Sequence, residues 1–144
     1  MLRNLGNRFR LAVCVCTLAR ARNAHASDQQ ERIRRVVDDL KARLSITQAI
    51  DVAIVDHNPK LFSVVPEERS RVTFLLSADE DFARGLSDVE LRAAVAHELG
   101  HVWIFTHFPY LQTEELANDI AARVVSRESL TPLYDKVWKR VAAD

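Results

Sequence analysis

The sequence predicts an α+β fold, a small mixed sheet of about three strands packed on one long helix, with a further helix close behind it. Three observations carry this. Short β-branched and aromatic runs cluster between residues 52 and 76, an apolar stretch over 88–106 opens on a capping box, and amphipathic patterns flank both. With 144 residues, 48% hydrophobic and 28% charged, the chain has the length of one domain. Only 3 Gly and 4 Pro exclude collagen-like and low-complexity classes. No run approaches the roughly 18 apolar residues that a spanning helix needs, so no transmembrane segment is expected.

Charge divides the chain before any element does. The 20 basic and 20 acidic residues cancel, but residues 1–26 hold Arg3, Arg8, Arg10, Arg20 and Arg22 and no acid. A basic start, an apolar run over 11–19 and the small-x-small pattern Ala24-His25-Ala26 follow in the order of a secretory signal peptide. Export to the periplasm or the medium is the expectation. An organellar transit peptide is the alternative, because an arginine-rich, acid-free start suits one as well. Residues 27–144 then form a single mature domain with a net charge of −5. That charge argues against nucleic acid, which demands clustered Lys and Arg. Cys14 and Cys16 leave with the leader, as apolar filler and not as a redox pair.

The mature elements follow in order. Ile33, Val36, Val37, Leu40 and Leu44 recur at helical spacing, predicting an amphipathic helix over 27–44. This helix could lie over a shallow cleft and keep an enzyme latent. Residues 52–55 read as a buried strand ending in the turn formers Asp56-His57-Asn58-Pro59. Residues 61–65 and 72–76 are two more strands, and 78–85 reads as an acidic loop. Ser87 stands three before Glu90 and starts a helix over 88–106, which Phe108-Pro109 ends. Thr113 caps a helix through Val125, and Thr131-Pro132 opens a last one with Leu133, Val137, Trp138 and Val141 on its apolar side.

The central helix carries His97-Glu98-Leu99-Gly100-His101. Positions four apart stand one turn above each other, so both imidazoles can reach one metal ion. Glu98, rotated by about 100°, can hold a water at that ion. Two His and one carboxylate are a frequent ligand set for catalytic zinc, so a third ligand must come from elsewhere. Glu115, in the following helix, is the preferred candidate, because Asp119 four residues later can orient a ligating His. Glu114 competes, but Asn118 and not a carboxylate stands four residues after it.

The segment Leu91-Arg-Ala-Ala-Val-Ala-His-Glu-Leu-Gly-His-Val102, with Glu115-Leu-Ala-Asn-Asp119 after it, resembles the gluzincin metallopeptidases. The likeness is to the HtpX and CAAX prenyl protease type, in a soluble minimal form without membrane helices, and it covers residues 52–125. It implies a zincin-like domain in which His97, His101 and Glu115 bind zinc, Glu98 is the general base and Asp119 is the supporting carboxylate. It also implies that the strand at 72–76 is a sheet edge on which a peptide or protein substrate can pair. Where these proteases carry an Asn-Ala pair before that strand, this chain has Lys60-Leu61-Phe62-Ser63. Their oxyanion-stabilising residue has four candidates here, His107, Tyr110, Arg123 and Tyr134. The resulting expectation is a small exported zinc metallopeptidase, the alternative being a metal-binding but weakly active or inactive relative that binds peptides.

Overall fold

Residues with branched or aromatic side chains fit a pleated, half-buried surface, and the runs that hold them here form the sheet. The computed structural model describes residues 6–67 and 72–143, with side chains from residue 25 onward. The elements are α1 (Gly6–Arg43), β1 (Ala49–Val55), β2 (Phe62–Pro66), β3 (Thr73–Asp79), α2 (Glu80–Arg84), α3 (Asp88–His107), α4 (Glu114–Ala121) and α5 (Arg127–Val141). Five helices and a three-stranded mixed sheet make the class α+β, as the sequence predicts. None of the described helices is long and apolar enough to cross a membrane.

The sheet order is β1-β3-β2, with β1 parallel and β2 antiparallel to β3. This corrects the placing of residues 72–76 at an edge: β3 is flanked on both sides, and β1 and β2 are the edges. Its inward side chains Phe74, Leu76 and Ala78 are fully buried, which suits the strand with neighbours on both sides. The order in space is not the order in sequence, and nothing local in the chain encodes it. Asn58 fixes the turn from β1 into β2: its side-chain amide donates to Ser63 Oγ and Ser77 O, both at 3.1 Å, and its backbone N–H donates to Asp79.

Three helix boundaries also differ from the sequence reading. Residues 80–84 are helical, because Asp79 accepts from the Phe82 N–H at 2.9 Å and caps them. The helix after Thr113 stops at Ala121, four residues early. The last helix starts at Arg127 under a Ser126 cap, so Pro132 lies inside it and not in its first turn. Ser126 and Ser129 satisfy the first turn, through a 3.3 Å bond from the Ser129 N–H and a 2.6 Å bond from the Ser129 hydroxyl. On α5 Leu133 is buried and Val137 half-buried, while Trp138 and Val141 are exposed.

The pillar of the fold is α3, which packs against α1, α4, α5 and β2. Its start is the expected capping box, with Ser87 and Glu90 each bonded to the other's backbone N–H. The Glu90 carboxylate also accepts from Lys136 Nζ at 2.7 Å, tying α5 to that start. Burial pushes the Glu90 carboxyl up, but the Lys136 ammonium and the Ser87 hydrogen bonds outweigh it and hold it below the usual range. Phe105 of α3 meets Phe74 of β3 edge to face at 5.4 Å.

Helix α1 runs unbroken through residue 26, the expected end of the leader. The first five residues, and all leader side chains before residue 25, including Cys14 and Cys16, lie outside the described residues. Ile33, Val37 and Leu40 bury α1 in the core, and Arg32 binds Asp88 at 2.7 Å and the Leu86 carbonyl at 3.0 Å. The helix therefore does not cover the cavity described next. None of that cavity's described lining comes from α1, which removes the structural basis for latency through residues 27–44.

Candidate metal centre

His97 and His101 stand one turn apart on α3, and their rings meet edge to face at 4.9 Å. Each ring is held by a neutral amide. His97 Nδ1 faces Asn118 Oδ1 at 2.8 Å, and His101 Nδ1 faces Gln112 Oε1 at 3.1 Å. An amide oxygen only accepts, so each Nδ1 carries a proton, and in the neutral ring that leaves the Nε2 lone pair facing its neighbours. The two Nε2 atoms are 3.2 Å apart. Glu114 completes the triangle, its Oε2 3.0 Å from His97 Nε2 and its Oε1 3.5 Å from His101 Nε2.

This donor set fits a metal ion. Tetrahedral bonds of 2.0–2.1 Å place donors about 3.3 Å apart, and the three separations of 3.0, 3.2 and 3.5 Å bracket that figure. Two imidazole lone pairs facing each other at 3.2 Å repel unless a cation or a proton lies between them. His97, His101 and Glu114 could therefore hold a metal ion, and they are the one such group among the described residues. Both histidines are largely buried, at 13% and 21% exposure, while Glu114 is 77% exposed. The group is thus reached from solvent on the Glu114 side.

The acid brought to the histidines is Glu114, and the pair expected there, Glu115 and Asp119, is turned away. Glu115 is exposed and outside the cluster, and Asp119 accepts from Arg127 at 2.8 Å. The cause is the rotation of α4. Ala117, Ile120 and Ala121 are fully buried. Glu114 stands three residues before Ala117 and shares its side, whereas Glu115 stands two before it and points about 160° away. The apolar positions of α4 carry that signal in the sequence. The preference for a carboxylate at the fourth residue masked it, because the orienting group is the amide of Asn118. Gln112, the other orienting amide, carries no periodic signal, since it lies in the turn before Thr113. The contact that seats α4 is Gly100, where an added Cβ would stand 2.5 Å from Ala117 O.

Glu98 is buried beside the cluster. Burial pushes its carboxyl above the usual carboxylate range, with Glu114 adding to the effect. His97, His101 and a hydrogen bond from the Val64 backbone oppose it without reversing it. Val64 belongs to the free edge of β2: Leu61 and Glu67 bond to β3, so by antiparallel alternation Phe62 and Val64 face outward.

A cavity of about 580 Å³ opens beside these groups. His97, Glu98, His101 and Glu114 line one part of it, and Phe62, Phe82, Phe105, Leu133 and Val137 are among the apolar residues of the rest. Of the four oxyanion candidates, Tyr134 alone is in this lining. His107 stacks on Trp103 at 3.9 Å, Arg123 lies 4.9 Å over the same ring, and Tyr110 is 97% exposed in the turn. Tyr134 is 6.4 Å from the His97 ring and donates to Asn118 Oδ1 at 2.5 Å. Burial first, then the Glu114 and Glu98 carboxylates, push its hydroxyl above the usual range against the Asn118 bond, so it stays a donor. Compared with known proteins, the chain matches no family model, no curated protein and no solved structure.

Proposed function

We propose that the chain is a small zinc-dependent metallopeptidase with a minimal zincin-like site. One observation carries the reading. Three donors at zinc spacing share a cavity with a buried carboxylate one residue along the same helix. His97, His101 and Glu114 would hold the ion, which when bound polarises a carbonyl and lowers the pKa of water toward about 7.

Glu98 takes a proton from the attacking water and returns it to the leaving amine as the C–N bond breaks. Its burial in the cavity beside the ion site keeps it within reach of both the attacking water and the leaving amine. The apolar lining takes a side chain next to the scissile bond and excludes water around it. The edge that borders α3 is β2, so an extended peptide docks along Phe62 and the Val64 carbonyl, the Val64 N–H being held by Glu98, and not along β3. Residues 1–26 act as an export leader in this reading, and an N-terminus at Ser27 in the secreted or periplasmic protein tests that part.

The test of the activity has two stages. The purified chain is expected to carry stoichiometric zinc, and His97→Ala to lose it; a wild type without zinc after chelator-free purification would sink the proposal. Hydrolysis of a mixed peptide library is then compared with that of Glu98→Gln. Wild-type cutting no faster than the variant's leaves a metal site that binds peptides without hydrolysing them.

A further inference from the structure

The two histidines are oriented by amides that are themselves held in different ways. Gln112 is fixed by its own residue pair: its Nε2 donates to the His101 carbonyl at 3.1 Å, which forces Oε1 onto the His101 ring. Asn118 has no such anchor. Among the described residues its side chain bonds through Oδ1 alone, to His97 Nδ1 and to the Tyr134 hydroxyl. An amide turned end for end presents N–H where it presented oxygen, and it would then donate to His97 Nδ1. That move puts the ring proton on Nε2, the nitrogen facing Glu114 and His101.

We infer that Tyr134 is a positioning residue that keeps Asn118 from turning, and so keeps His97 in the tautomer whose Nε2 lone pair faces the ion site. A phenol donates a hydrogen bond far better than it accepts one, because its lone pair is shared with the ring. Its O–H therefore selects the amide oxygen as its partner, and that oxygen then has one lone pair left for His97 Nδ1–H. Helix α5 contributes no ligand, yet it reaches the metal centre through two hydrogen bonds. Lys136, two residues on, holds that part of α5 by donating to Gly85 O at 2.9 Å and to Glu90 at 2.7 Å. The inference rests on the reading of His97 as a ligand only for its consequence, since the tautomer exists with or without metal.

The test is made on the full chain without metal, by ¹⁵N-edited NMR of the imidazoles, and with zinc by competition against a chromophoric chelator. Wild type is expected to show His97 predominantly protonated on Nδ1. Tyr134→Phe, which keeps the ring and its packing, should move a substantial fraction to the Nε2–H form and raise the zinc Kd by about 10-fold, the scale of losing an outer partner of a ligand. Adding Asn118→Asp to Tyr134→Phe should restore both, because a carboxylate has no N–H to present. His101 should stay unchanged in all three. A His97 tautomer unaffected by Tyr134→Phe, or a double variant that fails to restore it, overturns the inference. A wild type that binds no zinc refutes the metallopeptidase reading instead, and the NMR result still decides the role of Tyr134.

Discussion

Gly100 is the residue on which the place of Glu114, the proposed third ligand, depends, and Gly100→Ala tests this without touching His97, His101 or Glu114. An added Cβ would lie 2.5 Å from Ala117 O, 3.0 Å from Ala117 Cα and 3.1 Å from Ala117 C, all backbone atoms of α4. No side chain can rotate away, so α4 itself must retreat by about 0.9 Å to bring the closest contact to 3.4 Å. Overpacking of this kind costs about 1–3 kcal/mol, and alanine's better helix propensity returns about 1. The net loss of stability is then about 1 kcal/mol. The proposed metal centre should lose more, because ligand positions tolerate about 0.2 Å, and Glu114 and Asn118 both ride on α4. Chelator competition should show zinc binding weakened by about 10- to 100-fold, the range of lost supporting contacts, beside a small shift in urea unfolding. Gly85→Ala is the control, since a Cβ there meets Phe82 O at an ordinary 3.4 Å. A Gly100→Ala chain that binds zinc within twofold of wild type would refute the claim that α4's seat sets the site.

Three further outcomes follow from the same geometry. Glu114→Ala should weaken zinc binding at least 100-fold while Glu115→Ala stays within twofold; isothermal titration of both separates the two registers of α4. Gln112→Leu removes the partner of His101 Nδ1 from an exposed turn, and should cost about 10-fold in zinc affinity with an unchanged melting temperature. Glu90 is held below its unfolded pKa, so the stability it contributes is present above the ordinary carboxylate range and is lost as pH falls through its folded value. Lys136→Met should lower stability by about 1 kcal/mol at pH 7 and flatten the loss between about pH 5 and 3, as read by thermal melts across that range. An equally steep acid loss in the variant would show that Lys136 does not hold Glu90 down.

The parts of the molecule legible in the sequence are those encoded by neighbours. Ser87 and Glu90 announce α3, Thr113 announces α4, and the four-residue spacing of His97 and His101 announces two imidazoles on one face. The third donor was harder, because residues 114–119 hold two interleaved pairs four apart, Glu114 with Asn118 and Glu115 with Asp119. A preference for a carboxylate as the orienting group selects the second pair. Burial of Ala117, Ile120 and Ala121 selects the first, and that burial depends on Gly100 in another helix. The place of β3 in the sheet was illegible for a related reason. Its alternation shows which side chains go inward, but which strands lie beside it is decided by partners far along the chain.

The central place of β3 also has a kinetic side. Strands β1 and β2 are each bonded to β3 and not to one another, so the first two strands to leave the ribosome have no ladder to form until residues 73–79 arrive. Both ladders, one parallel and one antiparallel, depend on this one strand, and substitutions in Phe74 or Leu76 should slow refolding, read by stopped-flow fluorescence, more than those in Val52 or Val64. During synthesis the helix that carries the histidines follows that strand after only the short α2 and residues 85–87. The platform it packs on and the helix itself therefore become available together, and β1 and β2 wait as exposed, unpaired segments for the shortest time this order of elements permits.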